Sequence, residues 1–387
     1  MEILRAYKYR LRPTRKDRMH LAQASGCARF VWNRGLACEK TRLENKEKLK
    51  RFAGLCLDLT EWKKEETTHF LTLAPSQVLQ QVCKDLDRAI SDGLKKTKGF
   101  PRFKKKGHDE SFRYPQGFKF SDNKVFLPKI GWVKFRKSQD MHGTPKNVTV
   151  SKRAGEWYIS VQVEAEIAWQ EHPNMNSEVG IDMGIAQFAT LSDGHILKPC
   201  NSYRKNQRKL MIEQRALSRK EKGSHNRKKQ IFRIQRLHKR IADSRLDYLH
   251  KATTWIAKNH GKVVLEDLKI VNMSKSAKGT MEKPGRKVAA KSGLNKSILD
   301  QGWYEFKRQL GYKLSWSGGE LILVDAKNTS RRCQTCGHVS KNNRKSQSSF
   351  CCVSCGHRDH ADINAAKNIL AAGHAVSACG DISSVAS

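Results

Sequence analysis

The sequence predicts an α/β chain of several domains: a small β-barrel interrupted by a helical insertion, then an α/β domain that carries a metal-binding loop near its end. Three observations predict it. Short alternating segments separated by turn residues recur between residues 98 and 172, the pattern of a small barrel. Two apolar runs fit for buried strands, Val179-Gly180-Ile181-Asp182-Met183-Gly184 and Val263-Val264-Leu265-Glu266-Asp267-Leu268, lie on either side of a long helical segment. Two Cys-x-x-Cys-Gly pairs then precede a last helix-like pattern that opens with Asp359-His360-Ala361-Asp362.

Composition narrows the partners. At 387 residues the chain exceeds one ordinary core, so two or three domains are expected. Lys plus Arg number 75 against 37 Asp plus Glu, and the net charge of +38 is spread along most of the length. Such a field favours a polyanion. No apolar run is long enough to span a bilayer and no signal-peptide pattern stands at the start, which sets a membrane partner aside. Five of the 11 cysteines fall between Cys333 and Cys355 and the total is odd, unlike a secreted disulfide framework. A reducing cytosol is the expected compartment, and no small-molecule substrate is indicated.

Arg5 to Leu11 alternates Tyr and Leu with basic residues and stops at Pro13-Thr14, an opening strand. From Lys16 to about Lys95 the spacing turns helical, with Leu21, Ala24, Ala28, Val31 and Leu36 on one apolar face and Val78, Leu79, Val82, Leu86, Ala89 and Ile90 on another. Those faces read as core, and Ser76 as an N-cap. Gly99-Phe100-Pro101-Arg102-Phe103-Lys104-Lys105-Lys106 interleaves aromatics with cations, suited equally to an amphipathic edge strand or to bases and phosphates. Strands follow at Ser111–Tyr114, Lys124–Leu127, Trp132–Arg136, Val148–Lys152 and Trp157–Val163.

Val179 to Lys198 predicts a hairpin turning at Ser192-Asp193-Gly194. Gly180 and Gly184 flank Asp182 and would let a backbone or substrate approach closely. The most basic stretch, Tyr203 to Ala257, breaks at Gly223-Ser224 into two helices. Its apolar stripe is core, whereas Arg227, Lys228, Lys229, Arg233, Arg236, Lys239, Arg240 and Arg245 have few compensating acids and favour phosphate contact. Met273–Lys291 reads as a mobile loop, Trp303 to Leu314 as a helix, Glu320–Asp325 as a strand, and the chain beyond Gly373 as a disordered tail.

Two constellations carry chemistry. Cys333, Cys336, Cys352 and Cys355 form matched knuckles that suit one tetrahedral Zn²⁺; Cys351 adjoins them but breaks the two-residue gap. With four thiolates no position is open, so this zinc is expected to be structural, its removal unfolding the loop without touching the chemistry directly. Asp182, Glu266 and Asp362 together suit a divalent-metal site, because carboxylate oxygens are the hard ligands Mg²⁺ prefers and two such ions assist a phosphodiester displacement. Singly, each acid is as well explained by a turn, a sheet edge or a helix N-terminus.

The order of these acids, with a zinc loop just before the last, is similar to the RuvC-type branch of the RNase H-like nucleases. The resemblance narrows on Asn328-Thr329-Ser330-Arg331-Arg332-Cys333, Phe350-Cys351-Cys352 and Asp362-Ile363-Asn364-Ala365-Ala366-Lys367-Asn368-Ile369, which look like the C-terminal signature of the TnpB (OrfB) proteins of insertion sequences, related to type V CRISPR effectors. Tyr9-Arg10-Leu11, Phe100-Pro101-Arg102-Phe103-Lys104 and Gly180-Ile181-Asp182-Met183-Gly184 fit the same family in order.

The resemblance implies a transposon-encoded, RNA-guided DNA endonuclease. Its parts would be a wedge β-barrel at residues 1–15 and 98–172, a helical recognition region at 16–97, a RuvC-like nuclease domain at 173–327 and 358–372, and a zinc-bearing target-nucleic-acid loop at 328–357, with 373–387 as tail. Asp182, Glu266 and Asp362 carry over as catalytic acids holding two Mg²⁺ that activate water and stabilise the leaving 3′ oxygen. Asp359 is the alternative to Asp362, three residues away on what reads as one helix face. A guide RNA from the transposon end would pair with double-stranded DNA beside a short adjacent motif, read by Ser76, Gln77, Gln80 or Gln81. Arg10, Arg102, Lys104, Lys105, Arg227, Lys228, Arg233, Arg236, Lys239 and Arg240 are the expected nucleic-acid contacts, since the protein grips a guide duplex by its backbone. The protein would be cytoplasmic, nucleoid-associated when on target. Nuclease-dead relatives lose the acids, and this sequence keeps them; a repressor or a transposase proper are the rival readings.

Overall fold

A computed structural model describes residues 2–108, 110–166 and 170–378. The chain forms two compact units, Met1–Ala168 and Trp169–Ser387.

In the first unit, strand β1 (Glu2–Leu11) leads into helix α1 (Arg15–Glu44). Thr14 and Asp17 close a reciprocal capping box at the start of α1, the hydroxyl of Thr14 accepting from the Asp17 amide at 3.2 Å and the Asp17 carboxylate from the Thr14 amide at 2.9 Å. Helix α2 (Arg51–Lys64), a 3₁₀ segment (Glu66–Leu73) and helix α3 (Ser76–Leu94) complete the insertion. The two apolar faces read from the spacing belong to α1 and α3, and α2 with the 3₁₀ segment lies between them. Pro75, not Ser76, holds the cap position of α3, and the Ser76 hydroxyl instead accepts from Lys63 Nζ at 2.9 Å.

Strands β2 (Ser111–Tyr114), β3 (Lys119–Ser121), β4 (Lys124–Leu127), β5 (Gly131–Arg136), β6 (Thr144–Arg153) and β7 (Glu156–Glu166) follow. They make a seven-stranded antiparallel sheet ordered β2-β6-β7-β1-β5-β4-β3, with β1 inserted between β7 and β5. Among the described residues no ladder joins β2 to β3, so the sheet curls without the hydrogen-bonded closure of a full barrel. Its β2 edge is tied to the helices by the ion pair of Arg113 with Asp85, 3.3 Å. One core runs through helices and sheet, from Leu21, Leu36, Leu79 and Leu86 to Tyr114, Val150 and Ile159. The helical insertion is therefore not an independent fold: its apolar faces and those of the sheet bury each other.

The second unit opens with β8 (Glu178–Met183), β9 (Ala189–Leu191) and β10 (Ile196–Leu197), then α4 (Ser202–Ser218) and α5 (His225–Asn259), the latter capped by Ser224, whose hydroxyl accepts from the Arg227 amide at 3.1 Å. Strand β11 (Lys262–Glu266), helices α6 (Ile270–Met273), α7 (Val288–Gln301) and α8 (Trp303–Trp316), and strand β12 (Glu320–Val324) follow. The hairpin β13 (Ser349–Cys351) and β14 (Arg358–His360) precedes α9 (Ala361–Ala378). Helix α7 thus begins inside the stretch read as a loop, and α9 continues past Gly373; the rest of the expected tail, residues 379–387, lies outside the described residues.

The five-stranded sheet is ordered β10-β9-β8-β11-β12, antiparallel from β10 to β8 and parallel from β8 to β12. Strand alternation divides its faces. Val179, Ile181, Val263 and Leu265 pack against α5, α7 and α8, while Val264, Ile322 and Val324 meet Ile369 of α9. No described helix is long and apolar enough to cross a membrane.

Candidate active site and metal centre

The same alternation puts Gly180 and Asp182 of β8 and Val264 and Glu266 of β11 on the α9 face. The parallel register pairs Ile181 with Leu265, so the next step sets Asp182 beside Glu266. Asp362 enters from the first turn of α9. Helix α9 can come this close because position 180 lacks a side chain: a Cβ there would stand 2.2 Å from the carbonyl oxygen of Ala366. Gly373 does the same further along, where a Cβ would press to 2.4 Å on Val264.

Asp182 feels both of the other acids. Desolvation, then the charges of Glu266 and Asp362, push the Asp182 carboxyl up to about 7, with Arg344 opposing. Burial also raises Glu266, against the hydroxyl that Thr329 donates to its Oε1. Arg344 donates through Nη2 to Asp362 Oδ1 at 2.9 Å. Asp359 is elsewhere: it lies on β14 before the helix begins, and its Oδ2 accepts from Lys367 Nζ at 3.0 Å. The two acids do not share a helical face, and Asp362 is the one grouped with Asp182.

The four cysteines converge as one cluster, with every sulfur within 4.8 Å of the others. Cys333 and Cys355 Sγ lie 3.6 Å apart, as do Cys336 and Cys352, near the ~3.8 Å edge of a tetrahedron with Zn–S bonds of about 2.3 Å. The knuckles are copies: the Gly337 and Gly356 amides donate to the Cys333 and Cys352 carbonyls at 2.9 and 3.1 Å, with φ of 74° and 73°, a left-handed turn that explains each glycine. The sulfur set fits a structural zinc.

Separation of this loop from the acids, expected from the sequence, does not hold. The buried Asn343 ties the knuckles, donating to the carbonyls of Arg331 and His338 at 2.9 and 3.0 Å and accepting from the Val353 amide at 3.0 Å, and Arg344 is its neighbour. From α9, Asn364 accepts from the Gln334 amide at 3.1 Å and donates to the Arg332 carbonyl at 2.8 Å, while Asn368 donates to the carbonyls of Thr329 and Arg332 at 2.9 and 2.6 Å. Thr329 and Arg344 were missed as site residues. Thr329 was visible only as part of the family signature, and nothing in the pattern around Arg344 marks it.

The expected nucleic-acid residues divide. Arg102, Lys105, Lys228, Arg233, Arg236 and Arg240 are exposed. Arg10 pairs with Glu156 at 2.6 Å and Lys239 with Asp243 at 2.6 Å. Arg227 turns inward and donates to the carbonyls of Leu217 and Lys220 at 2.8 and 3.0 Å, closing the end of α4. Lys104 lies 3.9 Å from the Trp32 ring centroid, and Asn33 holds its backbone. On α3, Ser76 and Gln80 are exposed, and Gln77 and Gln81 are half-buried, Gln81 donating to Asp85 at 2.8 Å.

Family models match three stretches: "Helix-turn-helix domain" over residues 1–55, "Probable transposase" (OrfB_IS605) over 158–277 and "Cas12f1-like, TNB domain" over 303–369. The first covers β1, α1 and the start of α2 here. The chain is 51% identical over 99% of its length to 95% of a protein of Escherichia coli strain K12 named "Putative RNA-guided DNA endonuclease InsQ". A Streptomyces pristinaespiralis protein of similar name is 34% identical over 98% of this chain and 92% of its own. The fold is similar to that of a Cas12f1 chain solved by cryo-EM with sgRNA and target DNA, at a TM-score of 0.56 and 13% identity over 95% of this chain and 98% of that one. Identity sustained along nearly the whole length shows that the chain belongs to the TnpB (OrfB) family of insertion-sequence proteins.

Proposed function

We propose that this chain is an RNA-guided DNA endonuclease, in which residues 173–327 and 358–372 form a RuvC-type, RNase H-like nuclease domain and residues 328–357 a zinc-bearing target loop. One observation carries the reading: Asp182, Glu266 and Asp362 come from β8, β11 and α9 to one side of the sheet, where burial first and the charges of the other two acids second push the carboxyl of Asp182 up to about 7. Three carboxylates held so, with one guanidinium among them, are short of positive charge, and an all-oxygen donor set suits Mg²⁺. A pair of such ions, when bound, supplies Lewis acidity to the attacking water and to the leaving 3′ oxygen, giving 5′-phosphate and 3′-hydroxyl ends.

The chain's own part is placement. Thr329 fixes one oxygen of Glu266 and leaves the other for a cation, and Arg344 balances Asp362. The wedge sheet, helical insertion and basic α5 would hold the guide duplex and target DNA by their phosphates, with base pairing supplying sequence choice and Ser76, Gln77, Gln80 and Gln81 placed to read the adjacent motif. Residues 1–15 and 98–172 would form the wedge and 16–97 the recognition region of a cytoplasmic protein.

The test is cleavage of a plasmid bearing the cognate target by the RNA-loaded protein in Mg²⁺. Wild type should cut; Asp182→Ala and Glu266→Ala should bind the same RNA and DNA yet cut at least 100-fold more slowly, in keeping with loss of a metal ligand. Binding without cutting by the wild type would favour a repressor, and RNA-independent strand joining a transposase.

A further inference from the structure

The end of the five-stranded sheet opposite the acids holds a cluster that nothing above uses. Strand β8 runs toward Asp182 and β11 toward Glu266, so Ser177 and His260, just ahead of those strands, lie at the far end. The turn between β9 and β10 arrives there too, because β9 is antiparallel to β8, and it carries Asp193 and His195. Two imidazoles and a carboxylate thus meet around Asp193, whose Oδ2 lies 3.3 Å from His195 Nδ1 and 3.7 Å from His260 Nε2.

The Nε2 atom of His260 has nothing to do. The residue is only 8% exposed, and this nitrogen has no hydrogen-bond partner among the described residues, since 3.7 Å is too long for a bond to Asp193. Buried polar atoms are seldom left so. On the other side of the ring, Nδ1 stands 2.9 Å from Ser177 Oγ. With its proton on Nδ1 and given to Ser177, the ring turns a lone pair toward a carboxylate oxygen, and two electron-rich atoms face each other across a gap.

A cation in that gap resolves the mismatch. Donors held about 2.1 Å from a tetrahedral ion stand ~3.4 Å apart, close to both separations measured from Asp193. Two imidazoles and one carboxylate suit Zn²⁺ and the neighbouring transition metals, whereas Mg²⁺ prefers oxygen alone. A hydroxyl behind a ligating ring, as Ser177 is to His260, fixes the tautomer that binds. Unlike the four thiolates, this trio is not closed as it stands. His195 has to turn toward His260, and its side chain, 63% exposed on the turn, is the one placed to do so.

We propose that Asp193, His195 and His260 bind one divalent transition-metal ion of the Zn²⁺ class, which pins the β9–β10 turn to the end of α5. Water completes the coordination, and the ion lies apart from both the acids and the thiolates.

The test uses the full chain, free of any histidine tag and carrying Asp182→Ala so that the acids hold zinc less well. After equilibrium dialysis against chelator-buffered Zn²⁺, atomic absorption should find two equivalents per chain, one on the thiolates and one on the trio. Asp193→Asn and His195→Ala should each leave one. Both positions are exposed, and Asn can still accept from the His195 amide as Asp193 does at 3.0 Å, so melting without added metal should match the parent protein. Ser177→Ala should keep the second equivalent but weaken it roughly 10- to 100-fold in competition with the chelator. Excess Mg²⁺ should not displace it. A single equivalent in the parent protein, or a second that survives Asp193→Asn or His195→Ala, overturns the site.

Discussion

A carboxyl group set among two others and partly withdrawn from water holds its proton longer than one in solution, and the consequence for Asp182 can be signed. Its folded pKa of about 7 exceeds the ordinary 3.8, so between those values the metal-free folded chain binds a proton that the unfolded chain has released. Folding is therefore penalised as pH rises above the ordinary carboxylate range, and the penalty is complete above about 7. Asp182→Asn removes it. In EDTA, the melting temperature of Asp182→Asn should exceed wild type by a few degrees at about pH 8 and by less at about pH 5. Differential scanning calorimetry checks this, and a gain that is equal at both pH values would contradict the raised pKa of Asp182. Asp182 and Glu266 were legible in the sequence because each ends an apolar run that only a buried strand explains. Arg344 was not: it sits in Lys341 to Ser349, where no periodicity operates, and only the folded loop brings it to Asp362.

At the scale of elements, the site depends on how closely α9 lies on the sheet. The two glycines beside Asp182 announced a close approach without saying of what; for Gly180 the partner is the α9 backbone, whereas a Cβ at Gly184 would meet the Gln187 carbonyl at 2.8 Å. Gly180→Ala would drive a Cβ into the Ala366 carbonyl and the Leu370 amide, neither able to turn aside, so α9 and Asp362 must shift together. Cleavage should fall at least tenfold and stability by about 1–3 kcal/mol, with zinc content retained because each knuckle closes on its own backbone. Gly26→Ala is the control, since on α1 a Cβ meets nothing within 4 Å and should add about 0.5–1 kcal/mol. The zinc loop behaves in the opposite way. Cys333→Ser should lose zinc, and through Asn343, Arg344 and Asn364 it should also slow cleavage; full activity in a zinc-depleted sample, measured by atomic absorption beside the cleavage assay, would show that the loop and the acids are uncoupled. The spacing of the knuckles foretold the metal but not this linkage, which is made by carbonyl and amide partners that leave no sequence pattern. The open edge of the first sheet was hidden for a similar reason: strand pattern gives faces, whereas closure depends on pairing between β2 and β3, consecutive in the chain but at opposite edges of the sheet.

For the whole molecule, the governing quantity is the net charge of +38, and the structure sorts its cations by what they already hold. Arg10 and Lys239 each have an acid within 3 Å, and Arg227 is spent on carbonyl groups at the end of α4. Lys228, Arg233, Arg236 and Arg240 are exposed along α5. A cation that neutralises a phosphate displaces condensed counterions, so each contact adds roughly 0.7–0.9 to the slope of log affinity against log salt. A cation already matched to a carboxylate displaces fewer. Replacing Lys228, Arg233, Arg236 and Arg240 by Ala together should flatten the slope for guide-RNA binding by about 3, weaken binding most at low salt, and leave the melting temperature near wild type. Arg10→Ala with Lys239→Ala should change the slope by less than about 1, because Glu156 and Asp243 are released as the cations are removed. Arg227→Ala should lower the melting temperature instead, by unfastening α4 from α5. Filter binding across a salt series separates the three sets, and equal slopes for the first two would mean that exposure on α5 does not mark the face that holds RNA.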